Sequence, residues 1–174
     1  MSRFVFLLVV VALASAVVAE RPAALEQQPP LDGLTMRSCC RVVDIVLVDP
    51  QGRRTGVDLR SGTSLTEIPR SSYLPNAGID GDVTGQPDPD PGKEIEVMGP
   101  QPGSYGLQLA ARADTRYRLE LRAFDQRTSR DALRSLTDVP ILKGEIHCYR
   151  LRYTRGPELA LTREDRPARG ECGP

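Results

Sequence analysis

Asp80-Gly81-Asp82-Val83-Thr84-Gly85, running on to Asp88 and Asp90, sets oxygen donors at alternate positions. That is the spacing at which a calcium loop presents hard ligands from its positions 1, 3 and 5, with glycine at position 6. Position 12, which should carry a bidentate glutamate, is Pro91, and Pro87 and Pro89 are incompatible with a flanking helix. A solvated acidic turn therefore accounts for the segment better. Weak, extracellular-grade calcium binding by Asp80, Asp82, Thr84 and Asp88 is the alternative, and no other cofactor is indicated.

Four cysteines, Cys39, Cys40, Cys148 and Cys172, form the second constellation. An even count in an exported chain points to disulfides. A bond between neighbours in sequence demands strained geometry, so the expectation is that Cys148 and Cys172 each take one of the Cys39-Cys40 pair. A zinc site is disfavoured, because no C-x-x-C spacing exists and the chain has one histidine. That histidine, His147, falls in phase with Tyr149, Leu151 and Tyr153, where a hydrogen-bonded core histidine is commoner than a catalytic one. Nucleophile elbows, H-E-x-x-H and phosphate-cradling glycine loops are all absent from the sequence. Arg116, Arg118 and Arg122 alternate with apolar residues and define a small basic stripe. It is either an ordinary solvated sheet face or a site for an acidic protein or polymer.

The elements that must position these groups read as strands. In Gly103 to Phe124, Tyr105, Leu107, Leu109 and Ala111 fall on one face, and Tyr117, Leu119, Leu121 and Ala123 repeat the pattern. With Arg112 to Asp114 as a loop, this predicts a β-hairpin in which Leu107 faces Leu119 and Arg118 lies opposite Gln108. Val42 to Val48, apolar apart from Asp44, reads as a strand buried on both sides. Asp49 to Gly52 is a turn, and shorter strands follow within Arg53 to Asp58 and Leu65 to Ile68. Pro69 to Gly92 is expected as a long proline-rich loop. Lys93 to Met98 alternates, with Ile95 and Val97 inward. Asp125 to Asp138 is polar, with a helical turn over Asp131 to Leu136 capped by Ser129. Gly144 to Tyr153 is the last strong strand, and Pro157 to Leu161 adds an edge.

About seven or eight short strands separated by turn signals predict an all-β chain folded as an antiparallel β-sandwich. Upstream, Met1 to Ala19 joins Arg3 to an apolar run and small residues, as in a secretory signal peptide, and is too short to span a bilayer. Glu20 to Ser38 is expected as a flexible tether, residues 39–161 as the sandwich and residues 162–174 as a polar tail. The mature chain is then secreted or held in the periplasm or cell envelope, without a transmembrane helix.

The segments DPQGRRTG (Asp49 to Gly56), EIPRSSY (Glu67 to Tyr73) and PGSYGLQL followed by YRLEL resemble an immunoglobulin-like module of exported bacterial proteins. The resemblance covers roughly Val42 to Thr154 and implies a sandwich fold and export. It carries no catalytic residues.

Composition narrows the function classes. Lys plus Arg and Asp plus Glu balance at 23 each, which argues against nucleic-acid binding by net charge. Tryptophan is absent and aromatics make up 5% of the chain, a poor inventory for stacking on bases, sugars or flavins. The sequence thus favours a non-catalytic binding or envelope-associated module of unknown ligand. A small hydrolase using carboxylates at the sandwich rim, or an inhibitor- or prodomain-like protein presenting Pro69 to Gly92, are the alternatives.

Overall fold

In the computed structural model, residues 32–77, 91–155, 158–164 and 172 are described. The expected signal peptide and most of the tether fall outside them. The described residues form eleven strands and no helix: β1 (Gly33–Ser38), β2 (Val43–Val48), β3 (Arg54–Val57), β4 (Ser64–Thr66), β5 (Ser71–Ala77), β6 (Gly92–Met98), β7 (Gly103–Ala111), β8 (Thr115–Asp125), β9 (Arg130–Ile141), β10 (Ile146–Tyr153) and β11 (Leu159–Glu164). They make two antiparallel sheets, ordered β5-β6-β1-β8-β9 and β11-β10-β7-β2-β3-β4. The β-sandwich class is as expected, with more strands than the turn signals suggested.

The hairpin over Gly103 to Phe124 does not form. β7 pairs with β2 and β10 in one sheet, whereas β8 pairs with β1 and β9 in the other. The inward residues are nevertheless those that alternation selected: Tyr105, Leu107, Leu109, Tyr117, Leu119 and Leu121 are all buried. Leu107 and Leu119 meet as opposite layers of one core and not as neighbours along a ladder. Three-residue hairpin loops usually need a left-handed residue, most often glycine. Arg112, Ala113 and Asp114 include no glycine, and none of the three takes a positive φ.

Three further segments differ from expectation. Gly33–Ser38, assigned to the tether, is the middle strand of the five-stranded sheet. It joins β6 to β8 by setting Met36 between Ile95 and Leu121. Its outward Thr35 and Arg37 and the prolines upstream concealed a run whose Leu34 and Met36 are fully buried. Arg130–Ile141 is a twelve-residue edge strand in place of a loop with a helical turn. Asp125 accepts hydrogen bonds from the Arg127 amide and the Thr128 hydroxyl, and Ser129 turns left-handed (φ 51°), which closes the β8–β9 hairpin. Ser129 is thus a hairpin residue and not a helix cap. Of the proline-rich stretch, Ser71–Ala77 is strand β5, a sheet edge that tolerates Pro75.

Other elements match. β2 is buried along its whole length, Asp49 accepts the Gln51 and Arg53 amides at the turn into β3, and β6 points Ile95 and Val97 inward. β10 buries His147, Tyr149, Leu151 and Tyr153 on its inner face, and β11 extends the expected edge to Glu164.

The face assignment makes a direct prediction. Leu119→Ala should lower stability by about 2 to 5 kcal/mol in urea unfolding, because it empties a closed core position. Arg118→Ala should change it by under about 0.5 kcal/mol, since that side chain is half exposed and paired with Glu120. A larger effect at Arg118 would reverse the faces.

Candidate functional site

One end of the sandwich has a charged interior. Lys93 lies two residues before Ile95 on β6 and shares its inward face, so its side chain enters the space between the sheets and is 4% exposed. A buried ammonium requires an acceptor for each of its three donors. It finds them in the carbonyl oxygens of Arg41 (2.6 Å) and Val43 (2.8 Å) and in Asp44 Oδ1 (3.0 Å). Asp44, the single charged residue of β2, also meets Arg112 Nε at 3.4 Å. Arg112 in turn donates to the Arg41 carbonyl at 2.8 Å. Lysine from one sheet, aspartate from the other and arginine from the passage between β7 and β8 therefore interlock.

These groups line a cleft of ≈ 780 Å³, with walls from the β3–β4 turn (Asp58 to Gly62), from Tyr73 and Pro75 of β5, and from Ile146. Asp58 caps its turn by accepting the Arg60 and Ser61 amides, which hold its carboxyl below the usual range. Tyr73 Oη is buried and has no hydrogen-bond partner among the described residues. Burial, reinforced by the Asp44 charge and opposed by Arg112, pushes its pKa up to about 12, so it remains a hydroxyl. The sequence reading singled out none of Lys93, Arg112 and Tyr73. The available signals were a lysine in phase with Ile95 and Val97, and an aspartate inside VVDIVLV.

The predicted site residues fare differently. Asp80, Asp82, Thr84 and Asp88 lie outside the described residues. Arg116, Arg118 and Arg122 do point outward together from β8, but each has a carboxylate partner: Asp138, Glu120 and Asp131 respectively. The face carries matched charges in place of a basic stripe.

The cysteine pairing differs from expectation. Cys39 joins Cys40, and Cys148 joins Cys172. Cys39 and Cys40 lead from β1 toward β2, where the Arg118 amide donates to Cys39 Sγ at 3.0 Å and Cys40 takes a left-handed backbone (φ 83°). Cys148 points to the opposite side of β10 from His147 and Tyr149, on the outer face of its sheet. Cys172 sits against it there and accepts from Gln108 at 3.2 Å. Cys148 thus has no route through the core to the β1–β2 link.

His147 is a core histidine, 3% exposed. Its Nδ1 lies 2.9 Å from the Tyr117 hydroxyl, which lies 2.5 Å from the Tyr149 hydroxyl. Arg163 (3.1 Å) and Glu145 (3.3 Å) meet Nε2. Burial, with Arg163 acting in the same direction and Glu145 opposing, holds the imidazole pKa below its ordinary value. The Tyr117 hydroxyl stands between the His147 ring and the Tyr149 hydroxyl and is within hydrogen-bonding distance of both. This chain links the two sheets.

Comparison with protein-family models, curated proteins and solved structures gives no match.

Two predictions follow from these groups. Cys148–Cys172 spans 24 residues and, on chain entropy, stabilises by about 3 kcal/mol. Cys39–Cys40 closes no loop of consequence. A Cys148→Ser/Cys172→Ser variant should therefore lose about 3 kcal/mol and a Cys39→Ser/Cys40→Ser variant much less; similar large losses, or peptide mapping that links Cys148 to Cys39 or Cys40, would refute the pairing. For His147, the unfolded chain takes up a proton near pH 6.5 while the native imidazole resists it, so stability should fall as pH drops from about 6.5 toward the lowered folded value. Melting curves between pH 7.5 and 5 should show this loss, and His147→Gln should abolish it; the Glu145 carboxyl, held below its usual range first by the Leu142 amide, acts only at lower pH.

Proposed function

We propose that this chain is an exported, non-catalytic β-sandwich that binds a small ligand in the cleft at the Lys93 end. The observation that carries this reading is the interlocked Asp44, Lys93 and Arg112. Buried ion pairs contribute little net stability compared with apolar packing, yet they fix the orientation of the groups they contain. Here they hold a guanidinium at the mouth of a cleft whose volume falls in the range of small-molecule sites. Export rests on the Met1 to Ala19 segment and is supported by cysteines that all lie within bonding distance of a partner. An immunoglobulin-like type of sandwich rests on the resemblance carried by the DPQGRRTG, EIPRSSY and PGSYGLQL segments.

A rim hydrolase is the less favoured reading. Asp44 and Asp58 do line the cleft together, but a general acid needs a raised pKa. Asp58 is shifted the other way by its turn amides, and both Asp44 oxygens face cations.

Ligand-observed and protein-observed NMR with a fragment library tests the choice. Binding fragments should shift amide signals around Tyr73, Lys93 and Arg112. Turnover of fluorogenic esters, glycosides or peptides that is lost in an Asp44→Asn/Asp58→Asn variant would replace this reading with the hydrolase.

A further inference from the structure

Resting on the binding reading above, we propose that Tyr73 Oη and the outward edge of the Arg112 guanidinium form a subsite for a carboxylate, and that the cleft takes a monoanionic organic acid with an apolar body.

Arg112 has five N–H donors in a planar fork. Nε is directed at Asp44 and one terminal nitrogen at the Arg41 carbonyl, so the plane is set while donors remain on a side chain that is 60% exposed. A preset guanidinium edge matches the planar, two-oxygen geometry of a carboxylate, and its orientation is already fixed before a ligand arrives. Tyr73 supplies the second donor. Its hydroxyl is withdrawn from solvent and has no hydrogen-bond partner among the described residues, and the tyrosine side chain is part of the wall of the same cleft. A buried hydroxyl without a partner is costly to the fold, and an acceptor delivered by a ligand removes that cost.

The choice of anion follows from the charges around it. Arg41, Arg60, Lys93 and Arg112 line the cleft against Asp44 and Asp58, an excess of cations that favours an anion. An organic carboxylate buries its apolar body against the cleft wall, whereas inorganic phosphate gains nothing there. Val57, Leu59, Pro75 and Ile146 supply apolar wall for the rest of the ligand. A free organic acid and the C-terminal carboxylate of a peptide share this chemistry.

The test uses the oxidised full chain, labelled with nitrogen-15 and titrated with hexanoate, hexanol, inorganic phosphate, and N-acetyl-Ala-Leu with a free or an amidated C terminus. Hexanoate, the free-acid peptide or both should saturably shift signals around Tyr73 and Arg112, with the matching neutral compounds about tenfold weaker or more. Binding by hexanoate alone identifies a free acid, and binding by the peptide alone identifies a chain terminus. Arg112→Gln and Tyr73→Phe should each weaken binding about tenfold. Tyr73→Phe should do so without lowering the melting temperature, because it removes a hydroxyl with no partner among the described residues; a purely structural tyrosine would show the reverse pattern. Equal binding of neutral and anionic compounds in the cleft overturns the carboxylate subsite and leaves the binding module standing. Tighter binding of phosphate, shifts confined to another surface, unchanged affinity in both variants, or no binding by any probe also overturns it.

Discussion

The three residues between β7 and β8 impose the constraint on which the remaining strands depend. Ala111 and Thr115 are four Cα steps apart, a reach of at most about 15 Å, and packed sheets lie about 10 Å apart. A passage this short can join one layer to the other only if both strands run to the same end of the sandwich. It therefore fixes two long apolar faces against each other: Tyr105, Leu107 and Leu109 on one side, Tyr117, Leu119 and Leu121 on the other. β2 and β10 complete the layer around β7, and β1 and β9 complete the layer around β8. The chain leaving β9 returns to the first layer beside this passage, where the Gly144 amide donates to the Ala111 carbonyl.

The charged and hydroxylic groups cluster toward this same end. Ladder registers align Lys93 with Ser38 and Ser38 with Leu119, and Tyr117 follows two residues before Leu119 on the same face. Arg112 itself belongs to the passage. The interior thus grades from a closed apolar centre to a polar end, where Lys93 reaches Asp44 and Tyr117 reaches His147 from the opposite sheet. Apolar side chains of equal volume would stabilise the end at least as well. What the polar groups add is directional contact, which sets how the two layers stand relative to each other beside the cleft.

Much of this was legible in the sequence, but only up to the identity of neighbours. Period-two alternation states which side chains point inward, and Leu107, Leu119, Ile95 and His147 all obeyed it. It is silent on pairing, because two successive strands with matched inward faces look alike whether they share a sheet or face each other across a core. The loop chemistry held only a weak clue, since Arg112 to Asp114 lacks the glycine usual at a left-handed hairpin position while Asp114 tolerates that conformation. β9 was harder to see. As an edge strand with a largely exposed surface it shows little alternation, and its identity comes from pairing with β8. Lys93 was overlooked because a lysine beginning a strand usually marks the surface. Its phase with Ile95 was visible, but its three acceptors come from Arg41, Val43 and Asp44, some 50 residues away in sequence.

The cysteine arithmetic shows why an even count does not give a connectivity. Two crosslinks from the β1–β2 link to Cys148 and Cys172 would have closed loops of about 100 residues and tied the layers covalently. The observed pairs leave the layers without a disulfide between them. One bond spans adjacent residues, and the other holds Cys172 on the outer face of β10 and β7. Cohesion between the sheets therefore falls to the apolar core and to the polar contacts that cross it at the cleft end. A ligand that bridges Tyr73 of one sheet to Arg112 beside the other would add to that cohesion, so occupancy of the cleft and the stability of the sandwich are thermodynamically linked.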